Sequence, residues 1–326
     1  MKRRGARSRL RASALRLVGV LVTVLVAVFT TGSLAGCSIK PRPTAAIGAG
    51  RHLDVVASFY PLEFVVRELA GNRASVRNLT RPGAEAHDVE LTPHDVAAVH
   101  DADLVVYLAG FQSAVDDAVD AEARGRAFDV GAVARLNLGS SEPGGVPSAV
   151  QGRRALDPHF WLDPTRLADV ADAVAAQLAR IDPSGAAAYA ANATALRARL
   201  KRLDAEFATG LAHCRSHLLV TSHEAFAYLS ARYHLQQVGI AGRSPDNEPD
   251  AATLARIADL VRSQGVTTIY YETLVSPAIA RTVAQEAGVR TAVLDPLEGL
   301  VPGSQRDYLS VMRTDLAALR AGQECT

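Results

Sequence analysis

From Ala186 the chain runs to Gly210 without a glycine or proline, and Leu196, Leu200, Leu203, Phe207 and Leu211 recur at spacings of three and four. That spacing marks one buried face of a helix. Asp182-Pro183 ahead of it supplies a start signal, with Asp as the N-cap and Pro at the first helical position. A helix of roughly 28 residues at about 1.5 Å per residue is about 42 Å long. One small domain cannot cover such a helix, so residues 182–212 are expected to form a spine between two lobes. Asp163-Pro164 repeats the start signal and predicts a second helix, ending at Ile181.

On either side of the spine, short runs rich in Val, Leu, Ile and Tyr alternate with amphipathic stretches. Leu53–Phe59, Ala74–Leu79, Leu104–Leu108 and Ala127–Val130 are the strand candidates before it. Leu218–Thr221, Gln236–Ile240, Val266–Tyr271 and Thr291–Leu294 follow it. Glu63–Ala70, Ala251–Ser263 and Pro277–Ala287 carry helical spacing. Strand–helix alternation predicts an α/β chain with mostly parallel sheets flanked by helices. The expected division is an N-terminal lobe over 52–181, the spine over 182–212 and a C-terminal lobe over 213–326. With 326 residues, 48% of them hydrophobic, each lobe has enough apolar side chains for a core. Wholesale disorder is excluded, and the absence of a 20–50-residue repeat argues against a solenoid.

The N-terminus gives an address. Seven basic residues end at Arg16, and Leu17–Phe29 is apolar apart from Gly19 and Thr23. This length suits a signal-peptide core and falls short of the roughly twenty residues that span a bilayer. The uncharged stretch continues to Ile39, which leaves an uncleaved anchor as the alternative. Leu34-Ala35-Gly36-Cys37 resembles the lipobox of bacterial lipoproteins. The resemblance implies that residues 1–36 are removed and that Cys37 is acylated through its thiol, with the acyl chains holding the protein on the membrane. Residues 37–51, with Pro41 and Pro43, read as a flexible tether.

The net charge of +1 for the whole chain is set by that leader. Without its seven basic residues, 28 basic side chains face 34 acidic ones, a formal charge of −6. An acidic body is a poor partner for nucleic acid and a suitable one for cations. Cys214 and Cys325 are the only cysteines of the body. In an oxidising compartment an even pair forms a disulfide, here fastening the C-terminal tail to the middle of the chain. A zinc site is the competing reading, without a CxxC spacing to support it.

Ligands of open α/β sheets collect beyond the C-terminal ends of the strands. Polar residues directly after apolar runs are therefore candidates. His223 follows Leu218–Ser222, and Asp295 follows Thr291–Leu294. His87 lies in the loop after Leu79, and His159 stands just ahead of the Asp163-Pro164 helix. His87 and His159 are 72 residues apart, as are His223 and Asp295. Three imidazoles and a carboxylate close a metal shell, and a nitrogen-rich shell suits zinc and other late first-row ions. Against this stands the ordinary fate of a loop histidine, which is to be solvated or packed.

These segments are similar to the metal-specific solute-binding lipoproteins of bacterial ABC importers, the zinc and manganese class called cluster A-I. The similarity runs through Ser58-Phe59-Tyr60-Pro61-Leu62, the Gly83–His87 loop with Pro93-His94-Asp95, and His159-Phe160-Trp161-Leu162-Asp163-Pro164. It continues in Tyr189–Asn192, Ser222-His223-Glu224-Ala225-Phe226-Ala227-Tyr228-Leu229, Tyr270-Tyr271-Glu272 and Leu294-Asp295-Pro296-Leu297. Carried over position by position, the family's ligands fall on His87, His159, His223 and Asp295. Manganese-type members often carry Glu at the third ligand, so His223 implies zinc more than manganese.

The resemblance implies an extracytoplasmic binding protein, anchored to the cell membrane and monomeric, that delivers its ion to an ABC permease. Two departures stand out. Leu138–Leu156 has no histidine where zinc-type members often carry a His-rich loop, and Asp315 stands where the family often has Asn. Glu224 is expected to begin the next helix. Glu272 either orients a ligand histidine through its other nitrogen or makes a plain hydrogen bond at the lobe interface. Trp161 is expected to pack under the site. His94 and His100 read as solvated or capping residues of a helix, and His213 and His217 flank Cys214. The alternatives are a manganese importer component, a surface adhesin and a secreted zinc hydrolase. The last fits least well, because catalytic zinc keeps an open position and no HExxH or GxSxG occurs.

Overall fold

The computed structural model describes residues 52–139, 141–142, 146–147, 156–242 and 249–326. The leader, Cys37, the tether and most of the Leu138–Leu156 segment lie outside them. Two four-stranded sheets organise the chain. The first contains β1 (Leu53–Ala57), β2 (Ala74–Asn78), β3 (Leu104–Tyr107) and β4 (Ala127–Asp129) in the order β2-β1-β3-β4, all parallel. Between them run α1 (Tyr60–Ala70), α2 (Pro93–Asp101) and α3 (Ser113–Glu122). A two-stranded ribbon, β5 (Ser141–Glu142) with β6 (Val146–Pro147), precedes α4 (Pro164–Ile181) and α5 (Ala186–Gly210).

The second sheet contains β7 (Leu218–Thr221), β8 (Gln236–Gly239), β9 (Thr268–Tyr271) and β10 (Arg290–Val293) in the order β10-β9-β7-β8, again all parallel. Its helices are α6 (Ala227–Arg232), α7 (Ala251–Ser263) and α8 (Ala278–Ala287), and α9 (Tyr308–Gly322) closes the chain. Taken in chain order, both sheets share one arrangement: the first strand lies between the second and the third, with the fourth at the edge. Each sheet therefore has a switch point beside its first strand, where ligands of such sheets bind.

The strands read as apolar runs because both faces of each sheet are covered. Alternate residues serve different cores. Val55, Ala57, Leu104 and Val106 face the principal cluster, whereas Val56 and Val105 face a smaller cluster under α2 and α3. In the second sheet Leu219 and Tyr270 face the principal cluster, and Val220 and Ile269 the one under α7 and α8. The principal cluster draws on both lobes. In it Phe64 of α1 stacks on Tyr308 of α9 at 5.3 Å between ring centroids.

The expected spine is α5, 25 residues long and about 38 Å at about 1.5 Å per residue. It packs against α4, α1 and α9 and so touches both lobes. Tyr189, Ala193, Leu196, Leu200, Leu203 and Phe207 form its buried face. Asp182 does not cap it. A 3-10 turn at Pro183–Gly185 intervenes, and the Asp182 carboxylate accepts bonds from Ser184 Oγ (2.5 Å), Tyr189 Oη (2.7 Å) and Arg73 Nη2 (2.6 Å). Those donors hold its pKa below the ordinary carboxylate range. The C-terminal tail returns to the far end of the spine, where Cys214 and Cys325 are disulfide-bonded across 111 residues. Closing so long a loop removes unfolded-chain entropy worth about 4–5 kcal/mol.

Candidate metal centre

Four side chains from four separate loops meet between the sheets. His87 stands in the loop between β2 and α2, His159 just before α4, His223 two residues beyond β7, and Glu298 beyond β10. Glu298 Oε1 lies 3.4 Å from His87 Nε2, 2.9 Å from His159 Nε2 and 3.2 Å from His223 Nε2. His159 Nε2 is 3.3 Å from His87 Nε2 and 3.5 Å from His223 Nε2. Zinc–nitrogen and zinc–oxygen bonds are about 2.0–2.2 Å, so two ligands of a tetrahedral ion stand about 3.3–3.6 Å apart. The donor set suits a four-coordinate ion, and three of these five separations match that range, while His159 and His223 stand closer to Glu298, at hydrogen-bond distance. His159 and His223 are fully buried and Glu298 is 3% exposed. Among the described residues this is the one group of three or more His, Cys, Asp or Glu with ligand atoms so gathered, and His213 and His217 are not part of it.

Each of the histidine loops is fixed from behind. Asp157 Oδ1 accepts from both the backbone N and the Nδ1 of His159, each at 2.8 Å. Glu272 Oε1 takes Nδ1 of His223 at 2.5 Å and also accepts from Ser222 Oγ. A carboxylate on Nδ1 sets the tautomer and aims the Nε2 lone pair at the centre. Glu272 thus touches both a histidine and a neighbouring hydroxyl. Glu85 accepts from the backbone N of His87 (3.0 Å) and of Asp88 (3.1 Å). Gly83, at φ +85°, donates its N–H to Leu300 O across the cleft at 2.8 Å. A Cβ there would fall 2.8 Å from Pro302 Cγ, so glycine permits both the turn and the approach.

Charge in the pocket is tightly balanced. Burial favours neutral His159, yet Asp157 and Glu298 outweigh it and raise its pKa above 6.5. Burial is likewise outweighed at His223, where Glu272 and Glu298 raise the pKa well above that value. For Glu298 the three imidazoles overcome burial and hold the carboxyl well below its ordinary range. Burial, reinforced by Glu298 beside it, pushes Glu85 up to about 8.

The structure brings His87, His159 and His223 together but leaves Asp295 out. Its Oδ1 accepts from Leu297 N at 2.8 Å and its Oδ2 from Thr273 Oγ1 at 2.9 Å, while its own N–H donates to Asp315 Oδ1 at 3.0 Å. Its carboxylate is engaged in building the turn that presents Glu298. Sequence reading missed Glu298, although Asp295-Pro296 held the signal: Asp before Pro commonly bonds a backbone N–H two residues on. Glu224 does not begin a helix either, since α6 starts at Ala227. Its N–H donates to Gly242 O, and the residue is buried. Trp161 lies under the site, fully buried, with its ring centroid 5.2 Å from that of His159.

The family model described as "ZnuA: Zinc-uptake complex component A periplasmic" matches residues 55–322. The "High-affinity zinc uptake system protein ZnuA" of Bacillus subtilis is 34% identical over 295 residues, 88% of this chain and 92% of that protein. Among solved structures, the Zn(II)-bound ZnuA-like domain of Streptococcus pneumoniae AdcA superposes with a TM-score of 0.69 at 32% identity, covering 83% of this chain and 99% of that one. The laminin-binding protein Lmb of Streptococcus agalactiae, described as a bifunctional protein with adhesin and metal transporting activity, gives 0.72 at 32% identity with the same coverage. A family match over most of the body and a relative this similar along nearly its whole length establish that the chain belongs to the ZnuA family of zinc-uptake components.

Proposed function

We propose that this protein captures zinc outside the cytoplasmic membrane through His87, His159, His223 and Glu298 and delivers it to an ABC permease. The observation that carries this reading is the set of four convergent donors, three imidazole nitrogens and one carboxylate oxygen, all within 4.8 Å of one another. Three neutral imidazoles and one carboxylate neutralise one of the two charges of the ion and close its shell, which suits binding and leaves no open position for catalysis. Neither magnesium nor calcium chooses such nitrogen-rich donors. The basic, apolar N-terminus and the Leu34–Cys37 sequence support export, with removal of residues 1–36 and acylation of Cys37. The lobe division at 52–181, 182–212 and 213–326 and a monomeric state complete the proposal. The principal core shared by both lobes supports small lobe or loop displacements on release rather than a wide hinge.

Calorimetric titration of the apo body, residues 38–326, with zinc and with excess manganese in competition tests the substrate. The expected result is one tight zinc per chain that manganese does not displace. Preferential manganese binding would overturn the choice of ion, and no tight site for either ion would overturn the transport reading. No feature of this sequence requires the adhesin reading.

A further inference from the structure

Glu298 is held in place through a turn that its own sequence does not favour. Leu297, the residue before it, is fully buried at φ +59°. A non-glycine residue rarely occupies this left-handed region, and it persists there only where its surroundings over-determine it. Two bonds do so: Leu297 N donates to Asp295 Oδ1, and Pro296 O accepts from Trp161 Nε1 at 2.7 Å. The second bond crosses the cleft. Trp161 belongs to the segment that carries His159 and is wedged against Phe59 and Phe111, at centroid distances of 4.8 and 5.8 Å. Its carbonyl accepts from Tyr308 Oη of α9 at 2.5 Å. One residue thus ties the second imidazole segment to the carboxylate turn and to α9.

We propose that Trp161 is a positioning residue: through the Pro296 carbonyl it holds the Glu298 carboxylate against the imidazoles and so sets how long the ion is retained. This rests on the zinc-binding reading above. With the indole N–H removed, Pro296 O loses its partner, the Leu297 turn is free to relax and Glu298 swings off the ion, while the three imidazoles stay on their own supports. Groups that orient metal ligands from behind typically contribute 10–100-fold to affinity. The loss here falls on dissociation, because the imidazoles still receive the ion.

The test is the rate of zinc transfer to an excess of a chromophoric chelator, measured for the wild type, Trp161→Phe, Glu298→Ala and the double variant. Trp161→Phe is expected to release zinc about tenfold faster or more, and to add nothing further when Glu298 is already alanine. In the cobalt-substituted protein, the tetrahedral visible bands are expected to weaken for Trp161→Phe much as they do for Glu298→Ala. Equal acceleration in both backgrounds, or none in either, would overturn the proposal, because Trp161 would then act through general packing or not at all. Should Trp161→Phe fail to fold, a second variant is at hand. Trp161 is the only tryptophan, so growth on the benzothiophene analogue of tryptophan removes the N–H from an isosteric ring at this position alone, with the same expected result. Failure of the wild type to bind zinc tightly would be a failure of the zinc reading itself and is seen separately.

Discussion

A Glu298→Ala variant is expected to bind zinc a few hundred- to a thousandfold more weakly than the wild type, whereas Asp295→Asn stays within about tenfold of it. The contrast follows from where the two carboxylates point. Glu298 Oε1 is within 3.4 Å of all three Nε2 atoms, while both Asp295 oxygens accept bonds from Leu297 N and Thr273 Oγ1. A protein zinc site is worth on the order of 10–16 kcal/mol at neutral pH. One ligand of four therefore carries roughly 3–4 kcal/mol, which is the quoted factor. Asparagine at 295 keeps an oxygen for Leu297 N, so the turn survives. Competition against a chelator of known affinity measures both variants. The reverse ranking would restore Asp295 as the ligand and remove Glu298.

Acid is expected to expel the ion steeply, by about a hundredfold in affinity for each pH unit below the histidine pKa values. Asp157 and Glu272 accept the Nδ1–H of His159 and His223, so a proton and a metal compete for the remaining Nε2 lone pair. Without metal the proton is favoured, because Glu298 Oε1 faces both Nε2 atoms and both pKa values are raised above 6.5 despite burial. The sign follows from linkage. A raised folded-state histidine pKa stabilises the metal-free fold at pH values below the unfolded one. That contribution is lost as pH rises through the folded one. Metal binding runs the other way, since each bound proton must leave. Two such protons give about a factor of ten each per pH unit. Calorimetry in two buffers of different ionisation enthalpy counts the protons released, and about two are expected. Affinity that does not change between pH 8 and 6 would contradict this charge balance.

The sheets, the spine and three of the four converging residues were legible in the sequence, for identifiable reasons. Both sheets are covered on two faces, so their strands appear as apolar runs, and α5 lacks breakers over its whole length. Strand ends, as C-terminal loops of parallel sheets, directed attention to His223 and to the stretch around Asp295. The strand-end rule and the family resemblance both select Asp295, whereas the carboxylate gathered with the imidazoles is Glu298, and the difference lies in the turn chemistry. Asp157-Pro158-His159, Asp163-Pro164-Thr165 and Asp295-Pro296-Leu297 all place an Asp Oδ1 on the backbone N–H two residues ahead. The middle one is the helix cap that its sequence announces. The same reading of Asp295 would have released it from the ligand set and pointed three residues on, to Glu298. Asp182 resisted for a tertiary reason: Arg73, 109 residues earlier, takes part of its carboxylate, and nothing local to Asp182-Pro183 announces that partner.

One zinc ion is expected to sit among these four side chains. An anomalous-diffraction map of the zinc-loaded protein, recorded on both sides of the zinc absorption edge, tests it directly. A single strong peak is expected about 2.0–2.2 Å from Nε2 of His87, His159 and His223 and from a carboxylate oxygen of Glu298, with Asp295 still on Leu297 N. A peak ligated by Asp295, or one that lies away from the three imidazoles, would contradict it.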